Sequence, residues 1–307
     1  MSELEPAPAR TPNAQLALPS SEVRQRVQWL VRAARRLPLA AHDPRPSRRR
    51  PLQEGGLFRE HRPYVAGDEA RSVDWHVYAR RRELVVKRTE PDERARFGLV
   101  LDLSSSVLAC GAERERMHRL LALALGSVAL AQGHGVVLFA LGANGVATQA
   151  FEDPASLELF ARACAGTPSG GRSSLGDVAG ASERLARRPK SWIAISDFLP
   201  LDQLERFLRG AAGGACWLVQ PTAKRDLLPL RLGLRRIADA ERGGARWVLV
   251  TRGVAKRYGA LVRAQRERFS RIARERGAAA FEVDEEEPFE LAAARILRGT
   301  VHRGGRS

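Results

Sequence analysis

The spacing of apolar residues changes several times along the chain, and each change predicts a different kind of structure. Residues 1–19 are rich in Pro and Ala with no repeat of apolar positions, the pattern of a disordered lead-in that buries nothing. From Ser20 onward Val23, Val27, Leu30 and Val31 fall at i, i+4, i+7 and i+8, one face of a helix, and Arg24, Arg26, Arg32, Arg35 and Arg36 take the other. Such a helix packs on its own domain or lies on a membrane surface, and the first is the commoner outcome. Asp43 to Pro51 reads as a Pro/Arg linker.

The middle of the chain alternates. Phe97–Leu101 is an apolar strand run, and Glu113–Gln132 a long helix with acidic residues in its first turn and Gly133 behind it. Val136–Leu141 is a second strand, with Val146–Phe151 as its antiparallel partner across Gly-Ala-Asn-Gly. Helices are expected over Leu157–Ala165, Leu175–Arg187 and Leu201–Arg209, with strands at Ser191–Ser196 and Ala215–Val219. A helix at Val254–Arg276, a strand at Ala278–Val283 and a helix at Pro288–Arg298 close the series. Strands that are apolar throughout and separated by helices require a sheet covered on both faces. The fold class is therefore α/β, with a doubly wound, mostly parallel sheet.

Gly55–Glu90 and Lys224–Thr251 break the alternation with turns and short β-prone runs such as Leu84–Lys87 and Trp247–Thr251, and the economical reading joins them in one small β-rich annex. The organisation expected is a lead-in (1–19), an N-terminal helix and linker (20–54), a first annex segment (55–92) and the core (95–221). A second annex segment (222–252), a helix-strand-helix completing the core (253–299) and a basic tail (300–307) follow.

Composition narrows the class further. Three cysteines, Cys110, Cys164 and Cys216, odd in number and far apart, exclude a disulfide framework and a C-x-x-C zinc site. The longest apolar stretch, Leu120–Ala131, is well short of the ~20 residues of a membrane helix. The opening MSELEPAPARTPNAQ lacks the regions of a signal peptide. The expectation is a cytoplasmic protein with no membrane insertion. Net charge is +16, but only four of the 51 basic residues are lysine. Arginine, alanine and glycine richness together point to genome composition, and no basic run interleaves aromatics at a spacing that would stack bases. Charge alone supports a nucleic-acid binder only as an alternative.

The first core strand runs directly into Asp102-Leu103-Ser104-Ser105-Ser106, and Asp197 follows the strand SWIAIS in the matching place. Ligands of open α/β sheets bind beyond the carboxyl ends of the strands, where chain order reverses. Taken alone, Ser104–Ser106 only turn the chain and cap a helix. With Asp197 they make an all-oxygen cluster of a kind that suits Mg²⁺ or Mn²⁺ better than Ca²⁺, since few carboxylates face the ion.

D-x-S-x-S after the first strand resembles the metal-ion-dependent adhesion site of von Willebrand factor A domains. The resemblance implies that Ser104, Ser106 and a hydroxyl from a separate loop hold the metal, that Asp102 and Asp197 assist through water, and that a partner's acidic side chain completes the shell. In Pro168–Leu175 the match for the family's threonine is Ser173, with Ser174 and Thr167 as neighbours, so serine stands where the family carries a stiffer β-branched residue.

Upstream lies an ordered string: Arg62, Tyr64, Gly67-Asp68, Arg71, Asp74-Trp75 and Ala79-Arg80, with Phe58-Arg59 before it and Leu84, Val86-Lys87 after. Physically, Gly67-Asp68 is a turn, Arg71 is placed to pair with Asp74, and Trp75 adds apolar bulk. As a string ending just before D-x-S-x-S it closely resembles the signature of the bacterial domain-of-unknown-function 58 family, over roughly residues 35 to 220. That resemblance implies a von Willebrand A-like domain behind this segment and a MoxR-type AAA+ ATPase as partner. The function expected is a non-catalytic, metal-dependent interaction module serving assembly or maturation of another protein; a metal-dependent hydrolase is a further alternative. Gly166–Ser173 is not a P-loop, because Arg172 stands where that motif has lysine and a helical pattern precedes it. The six histidines show no ligand pairs at helical spacing, which argues against zinc.

Overall fold

The computed structural model describes residues 20–34, 39, 57–65, 73–90, 96–172, 174–212, 214–223, 226, 231–240 and 243–303, excepting the side chains of 57–62, 87–90 and 300–303. The chain forms two compact units, Pro44–Arg94 and the remainder, Met1–Asp43 with Ala95–Ser307. Helix α1 (Ser21–Ala34) opens the larger unit and buries Val27, Leu30 and Ala34, the apolar face its spacing predicts.

The smaller unit is a strand, a helix and a strand: β1 (Leu57–Pro63), α2 (Trp75–Arg81) and β2 (Val85–Glu90). β1 and β2 pair antiparallel, with Arg62 opposite Val86. Tyr64 N–H donates to Leu84 O at 2.9 Å and Asp74 N–H to Val85 O at 2.8 Å, so the chain before the helix is tied to the chain that leads from it into β2. Asp74 caps α2, its Oδ1 accepting from His76 N at 3.0 Å and Val77 N at 3.3 Å, which satisfies two of the donors a helix start leaves open. Trp75 meets Tyr78 edge to face at 6.0 Å. Val73 and Val86 are buried here, while Trp75, Ala79 and Arg80 are exposed. Gly67, Asp68 and Arg71 lie outside the described residues, and the expected Arg71–Asp74 pair with them.

In the larger unit β3 (Arg96–Asp102), α3 (Ser105–Ala109), α4 (Ala112–Ala131), β4 (Gly135–Gly142), β5 (Gly145–Phe151), α5 (Leu157–Gly166) and α6 (Leu175–Glu183) come first. β6 (Ser191–Ile195), α7 (Leu201–Gly210), β7 (Cys216–Thr222), β8 (Gly233–Ala238), β9 (Ala245–Val250), α8 (Arg252–Glu275), β10 (Ala279–Asp284) and α9 (Phe289–Arg303) follow. Six strands form one sheet in the order β10-β7-β6-β3-β4-β5, parallel except for the β4–β5 hairpin. Phe97, Leu99 and Leu101 of β3 join the core under α1, α4, α5 and α9, and Val100 joins the core under α6, α7 and α8. Alternate residues of one strand thus feed two cores, which is why the strand reads as apolar throughout. Gly98 is required where it stands: a Cβ there would lie 2.3 Å from the Trp192 ring.

The doubly wound α/β architecture expected from the alternation is present. The single annex is not, because β1–β2 and β8–β9 form separate two-stranded sheets and β8–β9 belongs to the larger unit. Each segment closes its own antiparallel ladder, and nothing in an alternation pattern tells two separate ladders from one shared sheet. Helix α6 stops at Glu183, short of the expected Arg187, and α3 was not anticipated. Among the described residues no helix is long and apolar enough to cross a membrane.

Candidate functional site

After β3 the chain takes α4 to one face of the sheet, and after β6 it takes α7 to the other. The loops leaving these two adjacent parallel strands therefore diverge, and the crevice between them is the switch point of the sheet. Asp102 ends β3, and Asp197 stands two residues beyond β6.

The spacing D-x-S has a local cause. Asp102 Oδ1 accepts the N–H of Ser104 at 3.0 Å, a side-chain turn that Asp and Asn close best. Its Oδ2 accepts from Ser196 Oγ at 2.6 Å, and the Ser196 hydroxyl in turn accepts Phe198 N–H at 3.0 Å. Both carboxylate oxygens are thereby aimed, one by its own loop and one by the neighbouring strand. Burial pushes the Asp102 carboxyl above the ordinary carboxylate range, and the hydroxyls of Ser196 and Ser104 with the Ser104 N–H pull it back. A nearby cation would offset the same burial cost.

Ser104 Oγ and Ser106 Oγ lie 3.0 Å apart. The two hydroxyls are hydrogen-bonded to each other, and because adjacent oxygens of an octahedral Mg²⁺ at ~2.0–2.1 Å are separated by about 2.9 Å, the pair would need little movement to share such an ion instead. Among the described residues no three of His, Cys, Asp and Glu converge as a metal-binding group. The donors on offer are hydroxyls beside one buried carboxylate, a set that fits a hard cation and no soft one.

A third loop lies against the first. Gly170 N–H donates to Leu103 O at 2.7 Å and Ser105 N–H to Gly171 O at 3.1 Å. Gly171 has φ +81°, and a Cβ there would stand 2.7 Å from Gly142 O. Ser173 lies outside the described residues. Of its two neighbours, Ser174 donates to Asp177 Oδ2 at 2.9 Å at the start of α6, and Thr167 Oγ1 donates to Ala163 O at 2.8 Å at the end of α5. Asp197 Oδ1 accepts Leu199 N–H at 3.0 Å, and Gln220 Nε2 donates to Asp197 O at 2.9 Å. Phe198 between them holds φ +57°, a conformation a bulky residue adopts only when its surroundings fix it. Its buried ring stacks on Phe269 at 5.0 Å.

Asp102, Ser104 and Ser106 are thus brought together, with Asp197 on the adjacent strand end. The sequence reading missed the residues that hold them. Ser196, the last residue of the strand run, binds Asp102 and was passed over for Asp197. Arg119, buried on α4, donates to Cys164 O at 2.7 Å and Thr167 O at 2.9 Å, fastening the start of the third loop. His118 Nδ1 donates to Asp102 O at 2.8 Å; a carbonyl only accepts, so this nitrogen carries the proton. Burial lowers the His118 pKa to about 3, so the ring is neutral. Both stand at the end of the charged stretch Glu113–Arg119, where nothing in the sequence sets a buried arginine or histidine apart from an exposed one.

A family model described as "Protein of unknown function DUF58" matches residues 60–268. Among solved structures, an aerotolerance-related membrane protein from Bacteroides fragilis NCTC 9343 with multiple mutations to serines is similar at 13% identity. The match covers 68% of this chain and 99% of that one, with a TM-score of 0.40. The SpRpn10 VWA domain is similar at 6% identity over 68% of this chain and 94% of that one, with a TM-score of 0.35. No curated protein matches the chain.

Proposed function

The chain belongs to the DUF58 family of proteins of unknown function, and from that premise we propose that it is a non-catalytic, metal-dependent protein-interaction module. The observation that carries the proposal is the hydroxyl pair of Ser104 and Ser106, 3.0 Å apart beside the buried Asp102 at the switch point of the sheet. Ser104, Ser106 and Ser173 would hold Mg²⁺ or Mn²⁺, with Asp102 and Asp197 assisting through water. A cation held mainly by neutral hydroxyls stays electron-poor and favours an incoming Asp or Glu of a partner. The protein's own residues do the positioning: Ser196 and the Ser104 N–H orient Asp102, and Gly170 and Gly171 lay the third loop against Leu103 and Ser105. The imidazole beneath the site, His118, is fully buried and faces a backbone carbonyl, so it is not available as a base to an incoming substrate.

The partner that the family resemblance favours is a MoxR-type AAA+ ATPase, the pair acting in assembly or maturation of another protein. Exposed Arg172 in the third loop and a net charge of +16 favour encounter with an acidic surface. The test is the affinity of the purified pair in Mg²⁺ and in EDTA. Binding should require the metal, weaken in Ser104→Ala and survive removal of the first 19 residues, while Arg172→Glu slows association. Equal affinity in EDTA and Mg²⁺ would overturn the reading.

A further inference from the structure

Far from this site by element, the β8–β9 hairpin presents an unusual surface. All of β8 is exposed, and in β9 only Val248 and Val250 are even partly covered. A two-stranded ribbon of this kind is marginal in water by itself. Leu234 stands directly opposite Leu249, and Arg236 opposite Trp247, so these four share one face of the ribbon. Leu234 is 61% exposed, Leu249 62% and Trp247 66%. β9 runs through Thr251 into α8, whose first half repeats the feature: Val254, Tyr258 and Leu261, at i, i+4 and i+7, are exposed along one stripe. The first half of α8 buries Ala255 alone, and the second half turns Phe269, Ile272 and Ala273 into the core.

The charge around these side chains is one-sided. Residues 231–263 hold nine basic residues against two acidic ones, a net +7 out of +16 in about a tenth of the chain. The described basic residues of this stretch, Arg235, Arg236, Arg246 and Lys256 among them, are all exposed. The Arg235 guanidinium donates to the carbonyls of Arg231 and Leu232, which fixes its stem along the ribbon without neutralising it.

We propose that the β8–β9 hairpin and the first half of α8 form a docking surface for an anionic lipid bilayer, on which the protein lies peripherally. An exposed Trp and Tyr, aliphatic tips and a dense rim of arginine are what the bilayer interface accepts: the rings sit at headgroup level, the aliphatic tips reach the acyl boundary, and the cations meet lipid phosphates. Arginine stems lie along apolar surface while their heads stay with the phosphates. A second copy of the chain is a poorer occupant, since joining two such surfaces sets +7 against +7. The surface shares no residue with the Ser104–Ser106 site, so its test is run in EDTA and is independent of the metal reading.

The experiment is co-sedimentation of the full chain with vesicles of phosphatidylcholine alone and with about one-third phosphatidylglycerol. Binding should appear only with the anionic lipid, weaken with salt, and shift tryptophan emission to the blue in wild type but not in Trp247→Phe. The double variant Leu234→Glu/Trp247→Glu alters only exposed side chains, so it should keep the wild-type melting temperature while losing binding about tenfold or more. Arg235→Glu/Arg236→Glu should lose it similarly. No binding to anionic vesicles, or undiminished binding in Leu234→Glu/Trp247→Glu, would overturn the proposal. So would absent vesicle binding together with self-association or single-stranded oligonucleotide binding that these variants abolish, which would assign the surface to a second copy or to nucleic acid.

Discussion

Replacing Arg114 tests how the larger unit is held together, independently of any function. Arg114 lies in the first turn of α4, almost wholly buried, and its Nε donates to Glu285 Oε2 at 3.0 Å while Nη2 meets Asp226 Oδ2 at 2.5 Å. The pairs tie the start of α4 to the turn after β10 and to the segment after β7. Glu285 has only 3% of its side chain exposed, whereas Asp226 has 35% and also accepts Ala223 N–H at 2.9 Å. Arg114→Met keeps the apolar stem and takes the guanidinium from a largely buried carboxylate. Breaking a buried pair in this way costs about 3–5 kcal/mol, nearly all of it at Glu285 because Asp226 rehydrates. At about 2–4 °C per kcal/mol for a unit of this size, the melting temperature should fall by about 6–20 °C. Adding Glu285→Gln removes the carboxylate charge that Arg114 had offset and should recover part of that loss, a coupling that a double-mutant cycle in urea measures directly. A loss below about 1 kcal/mol for Arg114→Met, or a double variant no better than the single one, would refute the reasoning.

His118 supplies a pH dependence: its pKa is about 3 in the folded protein against about 6.5 unfolded, so its contribution is fully present above the ordinary value and is lost as pH falls through that window. Urea unfolding should show a slope of up to about 1.4 kcal/mol per pH unit from this group, absent in His118→Gln; an unchanged slope in the variant would remove the assignment. At the candidate site, melting with Mg²⁺ or Mn²⁺ at about a hundred times the dissociation constant should stabilise wild type by about 2.7 kcal/mol, and Asp102→Asn should show no metal effect while melting at or above wild type in EDTA. Gly126→Val puts a branched side chain where even a Cβ would lie 2.2 Å from the Phe160 ring, and calorimetry should record a loss of about 1–3 kcal/mol, with no loss counting against the packing described.

The central strands β3, β4 and β6 were legible because burial on both faces leaves their interiors apolar, and they follow the apolar runs to within a residue or two. The place of Asp102 at the end of the first core strand was legible too, whereas its turn onto the Ser104 N–H is seen only in the structure. What escaped was contact between elements far apart in sequence. Ser196 reaches Asp102 across 94 residues, Gly170 and Gly171 lie against Leu103 and Ser105 from a distant loop, and Arg119 holds the chain at Cys164 and Thr167. Periodicity carries information about which face is buried and none about which loops meet at the edge of a sheet. The same holds for the two annex segments, whose local pattern does not tell whether their strands pair with each other or, as they do, each within its own segment.

The arginine content shows where a compositional reading stops. A compositional bias raises arginine throughout a chain and says nothing of where each one is used. The structure shows three different uses of it: buried and paired on α4 (Arg114, Arg119), clamped bidentate across elements (Arg26 to Glu290 at 2.6 Å), and exposed around the β8–β9 hairpin. The first two need a carboxylate or carbonyl within reach and would be lost with lysine, whose single ammonium lacks the fork. The third is marked by the scarcity of acids around it, two in residues 231–263 against 35 in the chain, together with apolar side chains left in water. A mutational bias toward arginine codons does not by itself strip acids from one hairpin and one helix face. The local deficit therefore carries information that the overall +16 does not, and it singles out this surface for the vesicle experiment.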